Sequence, residues 1–191
     1  MCNLYRLHKS ADEIHRVFSE LGHQLAFPDG IPNFEPRDIR ITDRAPIVRV
    51  ADRGMALVER RWSWPLASGK PLYNLRSEGR NFPGNRCVAI ADGFYEYTVP
   101  EDPRQKRKDR WLFTPAVGGL IGIAGVTRQH PEVGEAFTLL TAEPGPDVEP
   151  FHRRQIVLVE PSDWGRWLDG SASSGDLLRP RTAGFLKVER A

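Results

Sequence analysis

Cysteine is nearly missing from this chain of 191 residues, which has only Cys2 and Cys87. Two cysteines form no disulfide framework. There is no C-x-x-C, and the five histidines, at 8, 15, 23, 130 and 152, include no H-x-x-x-H pair. On those spacings no structural zinc site is expected, and no other metal and no cofactor is expected. No apolar run approaches the roughly 18 residues of a membrane helix, so no membrane partner is expected. No apolar stretch of signal-peptide length opens the chain, so the expected location is the cytoplasm. Lysine is scarce, 5 against 22 arginines, and the net charge is only +2. Whole-molecule charge therefore singles out no polyanionic partner. The preference for arginine has two readings. Its planar fork binds phosphate bidentately, and a GC-rich genome favours its codons.

The rest of the composition fits a packed protein. With 40% hydrophobic and 27% charged residues the chain can bury a core, and its length suits one domain over residues 1–191, expected to act as a monomer. The 17 glycines and 16 prolines predict many turns, which suits strands better than a helical bundle. The clearest helix spans residues 10–22. Ser10 and Glu13 form a capping box, Ile14, Val17, Phe18 and Leu21 make one apolar face, and Gly22 supplies the stop. A second, short helix begins near Pro161-Ser162-Asp163, carries Trp164, Trp167 and Leu168, and ends at Asp169-Gly170. Segments 46–50 and 55–58 flank the turn Ala51-Asp52-Arg53-Gly54 as a hairpin. Further strands are predicted at 87–90, 94–98, 111–113, 120–124, 137–141 and 156–159, with a basic hairpin-like loop over 100–110. Hairpins rather than βαβ units give an α+β class, with a largely antiparallel β-sheet core and a few flanking helices.

Four segments can carry chemistry. Cys2 comes first: loss of the initiator methionine leaves an α-amine beside a thiol, with reference pKa values of about 7.7–8.0 and 8.5. The amine condenses with an aldehyde to an imine, and the thiol then closes a thiazolidine. Against an amide the same group serves N-terminal-nucleophile hydrolysis. The alternative is an incidental cysteine at a frayed end. In the second segment, Asn74 and Arg76 alternate with apolar residues and project from one strand face. They suit a polar ligand or a phosphate, or else mark an exposed strand edge. Third, Glu96 lies among aromatics in Gly93-Phe94-Tyr95-Glu96-Tyr97. It is either a desolvated acid/base or a solvent-facing side chain. Fourth, His152 sits where a loop enters an apolar strand, followed by Arg153 and Arg154. It is either a proton shuttle or a structural loop histidine.

In order along the chain, Met1-Cys2, Arg61-Trp62, Asn74-x-Arg76, Arg86-Cys87, Ala91-Asp92-Gly93-Phe94-Tyr95-Glu96, Thr141 and His152-x-Arg154 resemble the SOS response-associated peptidase (SRAP) family. The resemblance implies an SRAP-like fold and a sensor of abasic sites in single-stranded DNA. It implies that Cys2 forms a thiazolidine crosslink with the ring-opened aldehyde and so shields the lesion. By the same match Asn74 positions the α-amine and the sugar, Glu96 is the acid/base beside Cys2, and His152 shuttles the proton for ring opening and crosslink reversal. Arg76 and Arg154 resemble phosphate contacts, and Thr141 a residue of the DNA surface. The family name also implies peptidase activity, mainly removal of Met1.

Three departures stand out. Asn3-Leu4 follows Cys2 where the family often has Gly-Arg. Ser63-Trp64-Pro65-Leu66-Ala67 follows Arg61-Trp62 where many members carry Gly and then a DNA-stacking aromatic. Trp64 either replaces that aromatic or belongs to the core. Gln155-Ile156 stands where Met-Pro is common. Two other readings of the chain are an N-terminal-nucleophile cysteine peptidase acting on peptide bonds, and a non-covalent single-stranded nucleic-acid-binding module.

Overall fold

The computed structural model describes residues 2–52 and 54–191. Met1 and Arg53, the latter inside the predicted hairpin turn, lie outside the described residues. In chain order the elements are β1 (Leu4–Leu7), α1 (Ala11–Glu20), β2 (Leu25–Ala26), β3 (Arg37–Arg40), β4 (Arg44–Ala51), β5 (Gly54–Trp62), β6 (Trp64–Pro65), β7 (Pro71–Leu72) and β8 (Asn74–Arg76). They continue with β9 (Arg86–Ala91), β10 (Gly93–Thr98), β11 (Asp109–Pro115), β12 (Ile121–His130), β13 (Gly134–Ala142), β14 (Gln155–Ile156) and β15 (Leu158–Val159). A 3-10 turn (Pro161–Asp163), α2 (Trp164–Leu168), α3 (Ser174–Leu177) and β16 (Leu186–Arg190) complete the chain.

The strands form two main sheets. One runs β16-β11-β10-β1-β3, all antiparallel. In the other, β13-β12-β9-β4-β5 is antiparallel throughout, and a parallel pairing of β5 with β13 (Arg61 opposite Ala136, Trp62 opposite Phe137) closes it into a small barrel. Closure leaves no edge along those five strands. The core fills the barrel and the space between the sheets. Trp62, Trp164, Trp167, Tyr5, Phe18, Phe94, Phe113 and Phe137 head its fully buried side chains by size.

Both predicted helices are present. Ser10 accepts from the Glu13 amide at 3.2 Å, and Glu13 accepts from the Ser10 amide at 2.9 Å, so the capping box is complete. Ile14 and Phe18 are buried, and Phe18 stacks on Trp164 with ring centres 4.8 Å apart. The predicted strand over 156–159 is two short pieces. Val157 breaks it by donating to the Leu140 carbonyl (2.8 Å) and accepting from the Ala124 amide (2.9 Å). The piece before it pairs β13 and the piece after it pairs β12. Among the described residues, no helix is long and apolar enough to cross a membrane.

Candidate functional site

The two sheets meet at Cys2. The residue just precedes β1, is fully buried, and its thiol lies 3.2 Å from the Leu4 carbonyl. From the barrel side, Asn74 at the start of β8 donates through Nδ2 to the Cys2 carbonyl at 2.7 Å, across 72 residues of chain. Trp62 holds β8 in place by donating through Nε1 to the Tyr73 carbonyl at 2.8 Å, with its ring edge-on to Tyr73. Trp62 thus fixes the residue that precedes Asn74. The Oδ1 of Asn74 is buried and accepts no hydrogen bond among the described residues.

From the other sheet comes Glu96. Side chains alternate along β10, so Phe94 and Glu96 share the inner face, while Tyr95 packs outside with Leu4 and Leu112. Glu96 is 1% exposed, so the desolvated reading of this carboxyl holds and the solvent-facing one does not. Burial raises its pKa to about 7. Burial, and the neighbouring Glu96 charge, also push the Cys2 thiol well up, so the thiol is protonated at neutral pH.

His152 reaches the same place through aromatic packing. Trp111 of β11 lies opposite Glu96, and Phe151 packs on Trp111 and Phe113 with ring centres 4.8 and 5.4 Å away. The next residue, His152, lines a cavity of about 260 Å3 together with Asn3, Glu96, Tyr97 and Lys108. Its Nδ1 lies 2.7 Å from the Arg154 carbonyl oxygen and 3.0 Å from the Arg154 amide nitrogen. With the proton on Nδ1 the ring donates to that carbonyl. With Nδ1 bare it accepts from that amide. The backbone of Arg154 therefore accommodates either tautomer of the ring. Burial, helped by the charges of Arg153 and Lys108, lowers the His152 pKa.

The remaining predicted residues sit less simply. Arg76 is exposed at the end of β8 and forms no ion pair or hydrogen bond among the described residues. Arg154 is occupied. Its guanidinium pairs with both oxygens of Glu78 and donates through Nη2 to the Thr141 carbonyl (2.8 Å) and hydroxyl (3.0 Å). Thr141 is not at a surface. It is 1% exposed because β13 is flanked at this point by β8 and β14, so it anchors Arg154 instead. Trp64 belongs to the core, at 5% exposure, and is no counterpart of an exposed stacking ring.

Cys2, Asn74, Glu96 and His152 are thus brought together from four separate segments. Sequence alone gives no role to Trp62, Glu78 or Lys108. Lys108 is visible there only as part of a basic loop, and Glu78 only as a carboxylate two residues past Arg76. Among the described residues, no group of three or more His, Cys, Asp or Glu side chains is placed to hold a metal.

Comparisons with known proteins agree with this frame. A family model described as "SOS response associated peptidase (SRAP)" matches residues 1–190. The chain is similar in fold to a Bordetella bronchiseptica protein of known structure (TM-score 0.77, 21% identity, 100% of this chain and 99% of that one). It is also similar to a Bacteroides thetaiotaomicron protein (TM-score 0.78, 14% identity, 99% and 91%). A third similar structure is a phage-related protein from Bordetella bronchiseptica (TM-score 0.76, 16% identity, 100% and 94%). Among curated proteins, none matches.

Proposed function

The chain belongs to the SOS response-associated peptidase family and is thereby a DNA-damage-associated SOS response protein; from that premise we propose that it captures abasic sites in single-stranded DNA covalently through Cys2. The observation that carries this reading is the amide of Asn74. Its Nδ2 grips the Cys2 carbonyl, and its buried Oδ1 accepts nothing among the described residues. Such an acceptor is costly to leave unpaired. An α-amine freed at Cys2 is the donor it lacks, so Asn74 orients the amine for attack.

In the proposed reaction His152 takes the proton from the sugar hydroxyl and returns it to the ring oxygen, opening the abasic sugar to its aldehyde. The amine adds to the aldehyde carbon. Loss of the hydroxyl as water, with a proton from Glu96, gives an imine. The thiol then adds across the C=N bond. Sulfur bonds to carbon and the thiol proton passes by way of Glu96 to nitrogen, closing the thiazolidine. One water is released overall, and no oxidant, metal or nucleotide is consumed. A carboxyl with a pKa of about 7 is half-ionised near neutrality and can both give and take these protons. Cleavage of the Met1–Cys2 bond is the one peptidase event this reading requires.

The test is conjugate formation with single-stranded DNA carrying one abasic site, read on a denaturing gel without reductant. Wild type forms a heat-stable conjugate. Cys2→Ser and Cys2→Ala form one only when borohydride traps an imine. A heat-stable conjugate from Cys2→Ala without reductant would overturn the assignment. Undiminished cleavage of a peptide by Arg76→Ala, with no wild-type conjugate, would favour the peptidase instead.

A further inference from the structure

The occupied guanidinium of Arg154 leaves the cavity short of a phosphate ligand, and the loop of residues 99–108 between β10 and β11 offers one. We propose that Lys106, Arg107 and Lys108 form the second half of the single-stranded DNA site, with Lys108 gripping a phosphate next to the captured sugar. The inference rests on the reading of the substrate given above.

Three observations carry it. First, Lys108 lines the same cavity as Glu96 and His152, and its charge is felt at the imidazole. Second, Lys106, Arg107 and Lys108 are exposed and form no ion pair among the described residues, whereas the neighbouring cations are engaged. Arg104 pairs with Asp102 at 3.1 Å, Arg190 pairs with Asp109, and Arg110 lies 5.0 Å above the Tyr95 ring. Third, the loop separates its charges. Its carboxylates Glu101 and Asp102, with Asp109, line a different cavity of about 560 Å3 beside Trp111 and Phe151, where a phosphate would be repelled.

The arrangement defines a path for the strand. Arg76 belongs to the sheet that supplies Asn74, and Lys108 follows the strand that supplies Glu96, so each sheet brings an exposed cation toward the residues around Cys2. A strand touching both lays its phosphates on either side of the sugar that Cys2 attacks. Lysine suits the loop position, because it acts as a point charge on a flexible stem and needs no fixed fork geometry.

The experiment is fluorescence anisotropy with lesion-free single-stranded DNA, which needs no chemistry at Cys2, over about 50–200 mM salt. The slope of log affinity against log salt falls by about 0.7 for each phosphate that the protein no longer neutralises. Lys108→Ala is expected to lower the slope by about 0.7 and K106A/R107A/K108A by more, with thermal unfolding unchanged because all three side chains are exposed. A triple variant with the wild-type slope, when Arg76→Ala lowers it, overturns the loop site and leaves covalent capture standing. A lowered slope in a protein whose wild type forms no conjugate with abasic DNA supports the loop site and removes the capture reading. Wild-type binding that ignores salt overturns the loop site outright.

Discussion

Arg154 and Glu78 form a two-pronged ion pair that commits the guanidinium, while the backbone of the same arginine holds the imidazole of His152. The His152-x-Arg154 spacing therefore works as a clamp. The side chain at one end is anchored on β13 through Thr141, and the ring at the other is presented to the cavity.

Removing the anchor tests this directly. Arg154→Ala takes the donor from the Thr141 hydroxyl, leaves Glu78 without its partner and unfastens the loop, while the Thr141 carbonyl still accepts from the Ser77 amide and hydroxyl. The expected loss is about 1–3 kcal/mol of stability in chemical denaturation. The salt slope for lesion-free DNA should stay as in wild type. A slope lower by about 0.7 would make Arg154 a phosphate ligand after all.

Glu96 makes stability depend on pH with a definite sign. Burial raises its folded-state pKa from the ordinary 4.5 to about 7. Between those values the folded state binds more protons than the unfolded state, so stability falls as pH rises. The contribution is fully present below pH 4.5, is lost through pH 7, and amounts to about 3 kcal/mol. Unfolding midpoints measured from pH 4.5 to 8 should show this decline in wild type and a flatter profile in Glu96→Gln. Equal profiles would mean the carboxyl titrates as it does in water.

Ser63 gives a prediction about the fold. It is buried, has φ of +87°, and its hydroxyl has no hydrogen-bond partner among the described residues. A left-handed conformation costs a residue with a Cβ about 1–2 kcal/mol. Glycine at this position, which the family often carries, removes both burdens. Ser63→Gly should raise stability by about 1 kcal/mol, while Ser63→Ala, which keeps the Cβ, should gain less. Destabilisation by glycine would show that the hydroxyl is satisfied and the turn unstrained.

The Asn74 amide is testable by rate. Asn74→Ala removes the bond to the Cys2 carbonyl and the acceptor for the amine. Single-turnover capture with excess protein should slow by about tenfold or more, the rate equivalent of one hydrogen bond. A wild-type rate would remove Asn74 from the mechanism.

Elements with strong local signals are legible in the sequence. The Ser10–Glu13 box and the 3.6-residue spacing of Ile14, Phe18 and Leu21 identify α1, and apolar runs identify the barrel strands. β3 escapes such a reading because three of its four residues, Arg37, Asp38 and Arg40, are charged and it lies at a sheet edge. β1 escapes it because four residues without a turn signal carry no period. At the site the residue types are legible, but their states are not. Nothing local shows that Glu96 faces inward, since that depends on which face of β10 meets the core. Nor does local sequence show that Arg154 is occupied, since its partner Glu78 lies 76 residues away.

The central claim is covalent capture by Cys2, and intact mass spectrometry tests it most directly. The purified protein is measured alone and after incubation with single-stranded DNA bearing one abasic site, under denaturing conditions and without reductant. The account predicts a protein lacking Met1, and then a new species at the sum of that protein and the oligonucleotide less one water. A protein that has lost Met1 and yields no such species would contradict it.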